Sequence, residues 1–210
     1  MILTEGRKFR TLDFDIENRP LTYWVPDNPT AQITAIASCW ADDPSSMRVD
    51  LLTPAENFSE TDMLLAFCDR YNEADMVTGH YIRKHDLPII NGALFEHGLP
   101  LLRSKLTCDT KLDMFKKSDI PATQEFLLET LLVRDAQGQP LRKYHMSQTD
   151  WREANRLTPD GLRKTRERVA SDVLGHMQLR LAMVERGMLR SPSVWSSGAR
   201  SVPDGARHAR

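Results

Sequence analysis

The stretch Leu12–Glu17, with the sequence LDFDIE, alternates three apolar residues with three carboxylates near the N-terminus. Side chains of an extended strand point alternately to its two faces, so Asp13, Asp15 and Glu17 share one face. Carboxylates that lose water without gaining a partner destabilise a fold by roughly several kcal/mol per ion. A divalent cation with oxygen ligands would offset this repulsion, although an isolated acidic pair of this kind is more often simply solvated. The stretch therefore predicts a strand with one core face and one acidic face.

Length and composition favour a single globular domain. The chain has 210 residues, of which 40% are hydrophobic and 27% are charged, and this is enough for one substantial core. No apolar run approaches the length that crosses a bilayer. Residues 1–7 lack the apolar segment of a secretory signal. We therefore expect a cytoplasmic protein that does not associate with membranes.

Charge and cysteine content narrow the function classes. The formal net charge of -1 gives no overall attraction to nucleic acid, so any such binding requires a local basic surface. Residues 161–168 and 190–210 are the basic segments. The three cysteines are widely separated, which excludes a zinc knuckle and a disulfide framework.

Apolar periodicity predicts alternating strands and helices. Strands are expected at residues 9–16, 31–40, 46–52 and 75–79 and near Leu106. Helices are expected at residues 59–72, 86–96, 110–117, 123–132, 149–156 and 161–186. This order fits an α/β fold, a ribonuclease H-like mixed sheet flanked by helices. The predicted domain covers residues 1–190, and residues 191–210 are expected to form a disordered basic tail.

Two segments farther along the chain resemble motifs of a known family. In the segment Thr78–Pro88 a glycine turn leads to Asp86, and a proline follows two residues later. This resembles the second motif of the DEDD exonuclease superfamily, which includes the proofreading domains of DNA polymerases. The segment Arg168–Val173 resembles the third motif, and its Asp172 lies on the apolar side of a predicted helix and should point inward. The resemblance covers about residues 9–188.

The resemblance implies a site and an activity. Its catalytic and metal-binding residues would be Asp15, Glu17, Asp86 and Asp172, which match the four acidic residues of the family in order. They would hold two Mg²⁺ or Mn²⁺ ions, with Asp15 bridging both and Asp86 acting through a water molecule. The implied activity is 3′ to 5′ hydrolysis of DNA from single-stranded 3′ ends. A DNA polymerase is an expected further partner, in phage-type replication or repair within a bacterial or phage-infected cell.

The chain departs from the family in its third motif. The family has a tyrosine four residues before the last aspartate or a histidine five before it, whereas this chain has Arg168 and Glu167. An arginine cannot accept a proton at neutral pH, although it can hold a phosphate, or it can be an exposed residue near a helix end. His176, one turn beyond Asp172, and His145 in a loop are alternative general bases, and a site with neither is a third alternative.

Some alternatives remain open from the sequence alone. The same fold would serve an RNA-directed exonuclease, because metal chemistry at the phosphate does not read the sugar. A catalytically silent nucleic-acid-binding subunit is a third interpretation. Among single residues, Asp13 is expected behind the metal ligands or solvated, and Asp109 is expected to cap a helix. Trp40 and Trp151 are expected to stack on bases or to anchor the core.

Overall fold

Strands and helices alternate along the chain. The structure, a computed structural model, describes residues 8–20, 31–53, 58–115 and 120–197. The strands are β1 Thr11–Pro20, β2 Ala31–Trp40, β3 Asp43–Leu51, β4 Met76–Gly79, β5 Lys105–Asp109 and β6 Ser193–Trp195. The helices are α1 Glu60–Glu73, α2 Asp86–Glu96, α3 Gln124–Thr130, α4 Gln148–Asn155 and α5 Pro159–Glu185.

The six strands form one mixed sheet in the order β3-β2-β1-β4-β5-β6. Strands β1, β2 and β3 pair antiparallel as consecutive neighbours. Strand β4 then pairs parallel with β1, β5 pairs parallel with β4, and β6 closes the edge antiparallel to β5. This is an α/β fold of the ribonuclease H-like type, as the order of elements predicted. It places β1 inside the sheet, with helices on both of its faces.

The two faces of β1 have different surroundings, as its alternating sequence predicted. Leu12, Phe14 and Ile16 are buried in a cluster with residues from α1 and α2. The opposite face of the sheet lies under α5, whose Val169 and Val173 pack against small residues of β2, namely Ala35, Ala37 and Cys39. These short side chains let the helix approach the sheet closely. The acidic face of β1 is consequently covered in part by α5, so that Asp13 is buried whereas Asp15 and Glu17 remain partly exposed.

Cap residues set the start of helices α1 and α5. Ser59 caps α1, and its side chain and that of Asp62 satisfy each other's backbone N–H groups, which is a capping box. The Thr158 side chain accepts from the Gly161 N–H at the start of α5, and a proline fills the first position, where its missing N–H costs nothing. Both helices were predicted at these places.

The predicted helix at residues 110–117 is absent from its described part, residues 110–115, where residues 110–112 form a turn. The Asp109 carboxylate accepts from the N–H groups of Lys111 and Leu112 and holds them in this turn. Met114 then forms a β-bridge with Leu189, which leads the chain away from a helical path. Residues 116 and 117 of the prediction lie outside the described residues.

The sheet continues past residue 190, where the domain was predicted to end. Strand β6 pairs with β5, the Ser193 carbonyl accepts from Thr107 Oγ1 at 2.8 Å, and Trp195 packs against the core. Without β6, strand β5 would leave an unpaired edge, which three residues are enough to cover. Residues 198–210 of the predicted tail lie outside the described residues. No helix within the described residues is long and apolar enough to span a membrane.

Candidate metal centre

Three carboxylates from distant parts of the sequence converge beneath α5. Asp15 and Glu17 come from the acidic face of β1, and Asp172 comes from the inward side of α5. One ligand oxygen from each lies within 4.8 Å of the others. Asp172 is only 3% exposed, as its place on the apolar side of the helix predicted. The structure thus brings together three of the four acidic residues that the sequence suggested.

The fourth residue, Asp86, lies beside this cluster but is not a member of it. It is the first residue of α2 and is buried. Its Oδ1 accepts from the backbone N–H of Ile16 at 3.2 Å. Ile16 stands between Asp15 and Glu17 on β1, so Asp86 fixes the strand at the point where the two carboxylates project. This position is compatible with the expected action through a water molecule.

The carboxylates of the centre disfavour one another's charge. Burial, followed by the negative charges of Asp86 and Asp172, raises the pKa of Asp15 well above its ordinary value. Burial raises the pKa of Asp86 to about 7. The pKa values of Glu17 and Asp172 are also raised, in both cases mainly by burial. The ionised form of this cluster therefore requires positive charge from elsewhere.

Lys143 and Arg168 supply part of that charge. Lys143 Nζ lies 3.1 Å from Asp172 Oδ2, and Arg168 Nε donates to Glu17 Oε1 at 2.6 Å. Arg168 is 15% exposed, so it is not a solvated residue of a helix end. Lys143 could not be predicted from the sequence, because a lysine in a loop has no periodicity that would place it beside Asp172 on α5.

The donor set fits divalent cations. Carboxylate oxygens are the ligands that Mg²⁺ and Mn²⁺ favour. When ionised, the four acidic residues carry more negative charge than Lys143 and Arg168 can neutralise. Asp172 Oδ1 is buried and has no hydrogen-bond partner within the described part of the chain, and a buried oxygen of this kind requires an explanation. A bound cation would supply both the partner and the missing charge.

His176, one of the two candidate bases, is engaged elsewhere. Its Nδ1 lies 2.8 Å from Asp13 Oδ1, and Arg180 NH2 lies 3.1 Å from Asp13 Oδ2. Asp13 is fully buried and both of its oxygens have a partner. It is thus neither solvated nor directed at the metal centre. His176 faces this buried ion pair, although it was expected to be close enough to contact Asp172.

His145, the other candidate base, is exposed. It belongs to the loop that carries Lys143, and within the described ranges it has no hydrogen-bond partner. The backbone of this loop is fixed at the residue before His145, because Arg168 Nη1 donates to the Tyr144 carbonyl at 2.7 Å. Neither histidine hydrogen-bonds a carboxylate of the centre in the part of the chain that the structure describes.

Asp109 positions the turn between β4 and α2, a role that the sequence did not predict. Its two oxygens accept from the backbone N–H groups of Tyr81 at 2.9 Å and Arg83 at 3.1 Å. Tyr81 has a φ of +75°, an unfavourable conformation for a residue with a Cβ. Asp109 therefore stabilises the strained turn that leads from β4 into α2 and Asp86. The predicted capping role accounts only for the hydrogen bonds that Asp109 accepts from the residues that follow it.

Comparisons with known proteins support the fold. No protein-family model matches the chain, and no curated protein matches it. Among solved structures, it is similar to the family B DNA polymerase from the hyperthermophilic archaeon Pyrobaculum calidifontis, with a TM-score of 0.59 and 19% identity. The match covers 86% of this chain and 25% of the polymerase chain. The chain thus shares its fold with about a quarter of that polymerase and carries an acidic cluster on it.

Proposed function

We propose that this protein is a metal-dependent 3′ to 5′ exonuclease that hydrolyses phosphodiester bonds of DNA. The observation that carries the proposal is the convergence of Asp15, Glu17 and Asp172 within 4.8 Å. One buried oxygen of Asp172 has no hydrogen-bond partner among the residues that the structure describes. A cluster that is costly without a cation and well suited to one is expected at a site for phosphoryl chemistry. The motif resemblance and the fold shared with part of a DNA polymerase support the same activity.

Asp15, Glu17 and Asp172 would hold two Mg²⁺ or Mn²⁺ ions, and Asp86 would hold a water molecule beside them. Such a pair of ions stabilises the attacking and leaving oxygens of a phosphodiester. Arg168 occupies one oxygen of Glu17, so it orients this carboxylate and leaves the other oxygen for a ligand. Arg168 keeps its proton at neutral pH and is not a base. The proposed mechanism uses neither His145 nor His176 as the base.

The direction and the substrate of the proposed activity come from the resemblance. The proofreading domains in the resembling family remove nucleotides from single-stranded 3′ ends of DNA. We extend that activity to this chain because its acidic residues have the same order and lie on corresponding elements. Replication or repair alongside a DNA polymerase is the corresponding cellular role.

A strand-shortening assay tests the proposal. Single-stranded DNA with a label at its 5′ end is incubated with the purified protein and Mg²⁺, Mn²⁺ or EDTA. We expect a ladder that shortens from the 3′ end with either metal and no shortening with EDTA. Glu96→Gln, which removes an exposed carboxylate of α2, should behave like the wild type. An absence of metal-dependent shortening would leave the silent binding subunit as the better interpretation, and preferential cleavage of an RNA strand would favour the RNA-directed alternative.

A further inference from the structure

A cavity of about 400 Å³ adjoins the metal centre. It lies in the size range of pockets that bind small ligands. Its lining includes Gln124, Lys143, Tyr144, Trp151 and Arg168. Lys143 and Arg168 also contact carboxylates of the centre. The cavity therefore opens directly beside the place where the proposed reaction occurs, and its wall combines positive charge with aromatic surface.

Helix α4, which carries Trp151, packs on α5 but contributes little to the hydrophobic core. Ala154 is its one buried residue. The helix is nevertheless anchored at both ends, because Lys164 Nζ lies 2.5 Å from Asp150 Oδ1 and Arg19 NH1 donates to the Asn155 carbonyl at 2.5 Å. The helix thus holds its half-buried Trp151 in the wall of the cavity.

The contact between α4 and α5 makes this position rigid. A Cβ at Gly161 would lie 2.3 Å from the carbonyl oxygen of Glu153, so α5 approaches the backbone of α4 as only glycine permits. Farther along α5, the Arg168 guanidinium lies 5.0 Å from the centroid of the Trp151 ring. This distance is suitable for a cation–π contact. Trp151 is thus fixed relative to the residues that surround the metal centre.

Lys143 is suited to a different task. It is 29% exposed, lies in a loop, and among the described residues forms its ion pair with Asp172 Oδ2. Its flexible ammonium can turn to another acceptor when a cation occupies Asp172. A phosphate in the cavity would be such an acceptor.

We propose that this cavity binds the terminal nucleotide of the substrate strand, with Trp151 stacking on its base and Lys143 binding its phosphate. The inference rests on the proposed exonuclease function and specifies which residues of this chain hold the nucleotide. Stacking tolerates any base, because every base has a π-face. The cavity would therefore bind the terminal nucleotide whatever its sequence.

Product binding tests the inference without turnover. Deoxyadenosine 5′-monophosphate, the mononucleotide that the proposed reaction releases, is titrated calorimetrically into each variant at saturating Mg²⁺. We expect Trp151→Leu to raise Kd roughly tenfold or more and Trp151→Phe to change it by less than about threefold. Phe95→Leu, which removes an exposed aromatic residue of α2, should leave Kd unchanged.

A second ligand separates the two contacts. Deoxyribose 5-phosphate lacks the base, so Trp151→Leu should leave its Kd unchanged, whereas Lys143→Gln should weaken both ligands. Unaltered binding of the mononucleotide to Trp151→Leu would overturn the inference, as would equal weakening of both ligands by that variant. Thermal unfolding of each variant shows that it is folded. Failure of the exonuclease proposal would appear separately, as an absence of metal-dependent strand shortening by the wild type.

Discussion

Two neighbouring carboxylates of β1 have opposite surroundings. Asp13 and Asp15 project from the same face of the strand, and α5 covers both. Above Asp13, the helix presents His176 and Arg180, which pair with both of its oxygens. Above Asp15, the same helix presents another carboxylate, Asp172, and the pKa of Asp15 is raised by burial and by its acidic neighbours. Helix α5 therefore neutralises Asp13 and adds negative charge beside Asp15.

This difference separates a structural role from a functional one. A buried charge with its partners in place fixes the packing of helix on strand. A buried charge surrounded by like charges is costly to the fold and is retained for another purpose. The sequence pattern of β1 is the same at both positions, so the partner from α5 decides the role. Substitutions at the two positions should consequently have opposite effects on stability and activity.

The largest effect is expected for Asp15→Asn. The variant keeps the shape of the side chain and removes a charge that the proposed metals require, so activity should fall by about a thousandfold or more. Stability of the metal-free protein should rise, because the substitution relieves repulsion among buried carboxylates. Strand shortening and thermal melts in EDTA measure the two effects, with Glu96→Gln as the control. Activity near the wild-type level would refute the metal-centre assignment.

Asp13→Ala should produce the opposite result. Removing Asp13 leaves the buried His176 and the partly buried Arg180 without their partner. Breaking a buried pair in this way destabilises a protein by about 3–5 kcal/mol. Urea unfolding in EDTA should show the loss, and Asp50→Ala at the ion pair with Arg48 on β3, where Arg48 is 47% exposed, should cost far less. If the metal-free Asp13→Ala variant were as stable as the wild type, the proposed distinction between Asp13 and Asp15 would be wrong.

The elements that frame this comparison could be predicted from local patterns. The alternation in β1, the Ser59 cap and the apolar stripe of α5 each depend on neighbours in sequence, and the structure confirms all three. Asp172 was placed correctly because its inward direction follows from helical phase. The resemblance supplied the relation among the acidic residues, and three of them converge.

Other features depend on contacts between distant segments. Lys143 lies in a loop and reaches the centre through its ion pair with Asp172 on α5. Strand β6 has three residues and forms because β5 offers an edge, so no periodicity could reveal it. The pairing of His176 with Asp13 and not with Asp172 also requires the register of α5 against β1. Such contacts have no signature in the local sequence.

His176→Gln probes the boundary between the two regions. A glutamine can still donate to Asp13, so the stability should fall by only about 1–2 kcal/mol. Activity should decrease by less than about tenfold, because the histidine pairs with Asp13 and has no hydrogen bond to a carboxylate of the centre in the described chain. The pH dependence of kcat/KM should keep its shape. Loss of the acidic limb of this pH profile would identify His176 as the base and would contradict the structural role.

The smallest effect is expected for Lys143→Gln, measured as Mn²⁺ affinity by electron paramagnetic resonance. Lys143 competes with a cation for Asp172 Oδ2, from which its ammonium is 3.1 Å away. The interaction is partly exposed and screened by water, so its removal should tighten Mn²⁺ binding only about fivefold. Lys8→Gln, at an exposed ion pair with Asp42, is the matched control and should leave the affinity unchanged. Weaker Mn²⁺ binding by the Lys143 variant would mean that the lysine organises the carboxylates and does not occupy a place that the metal takes.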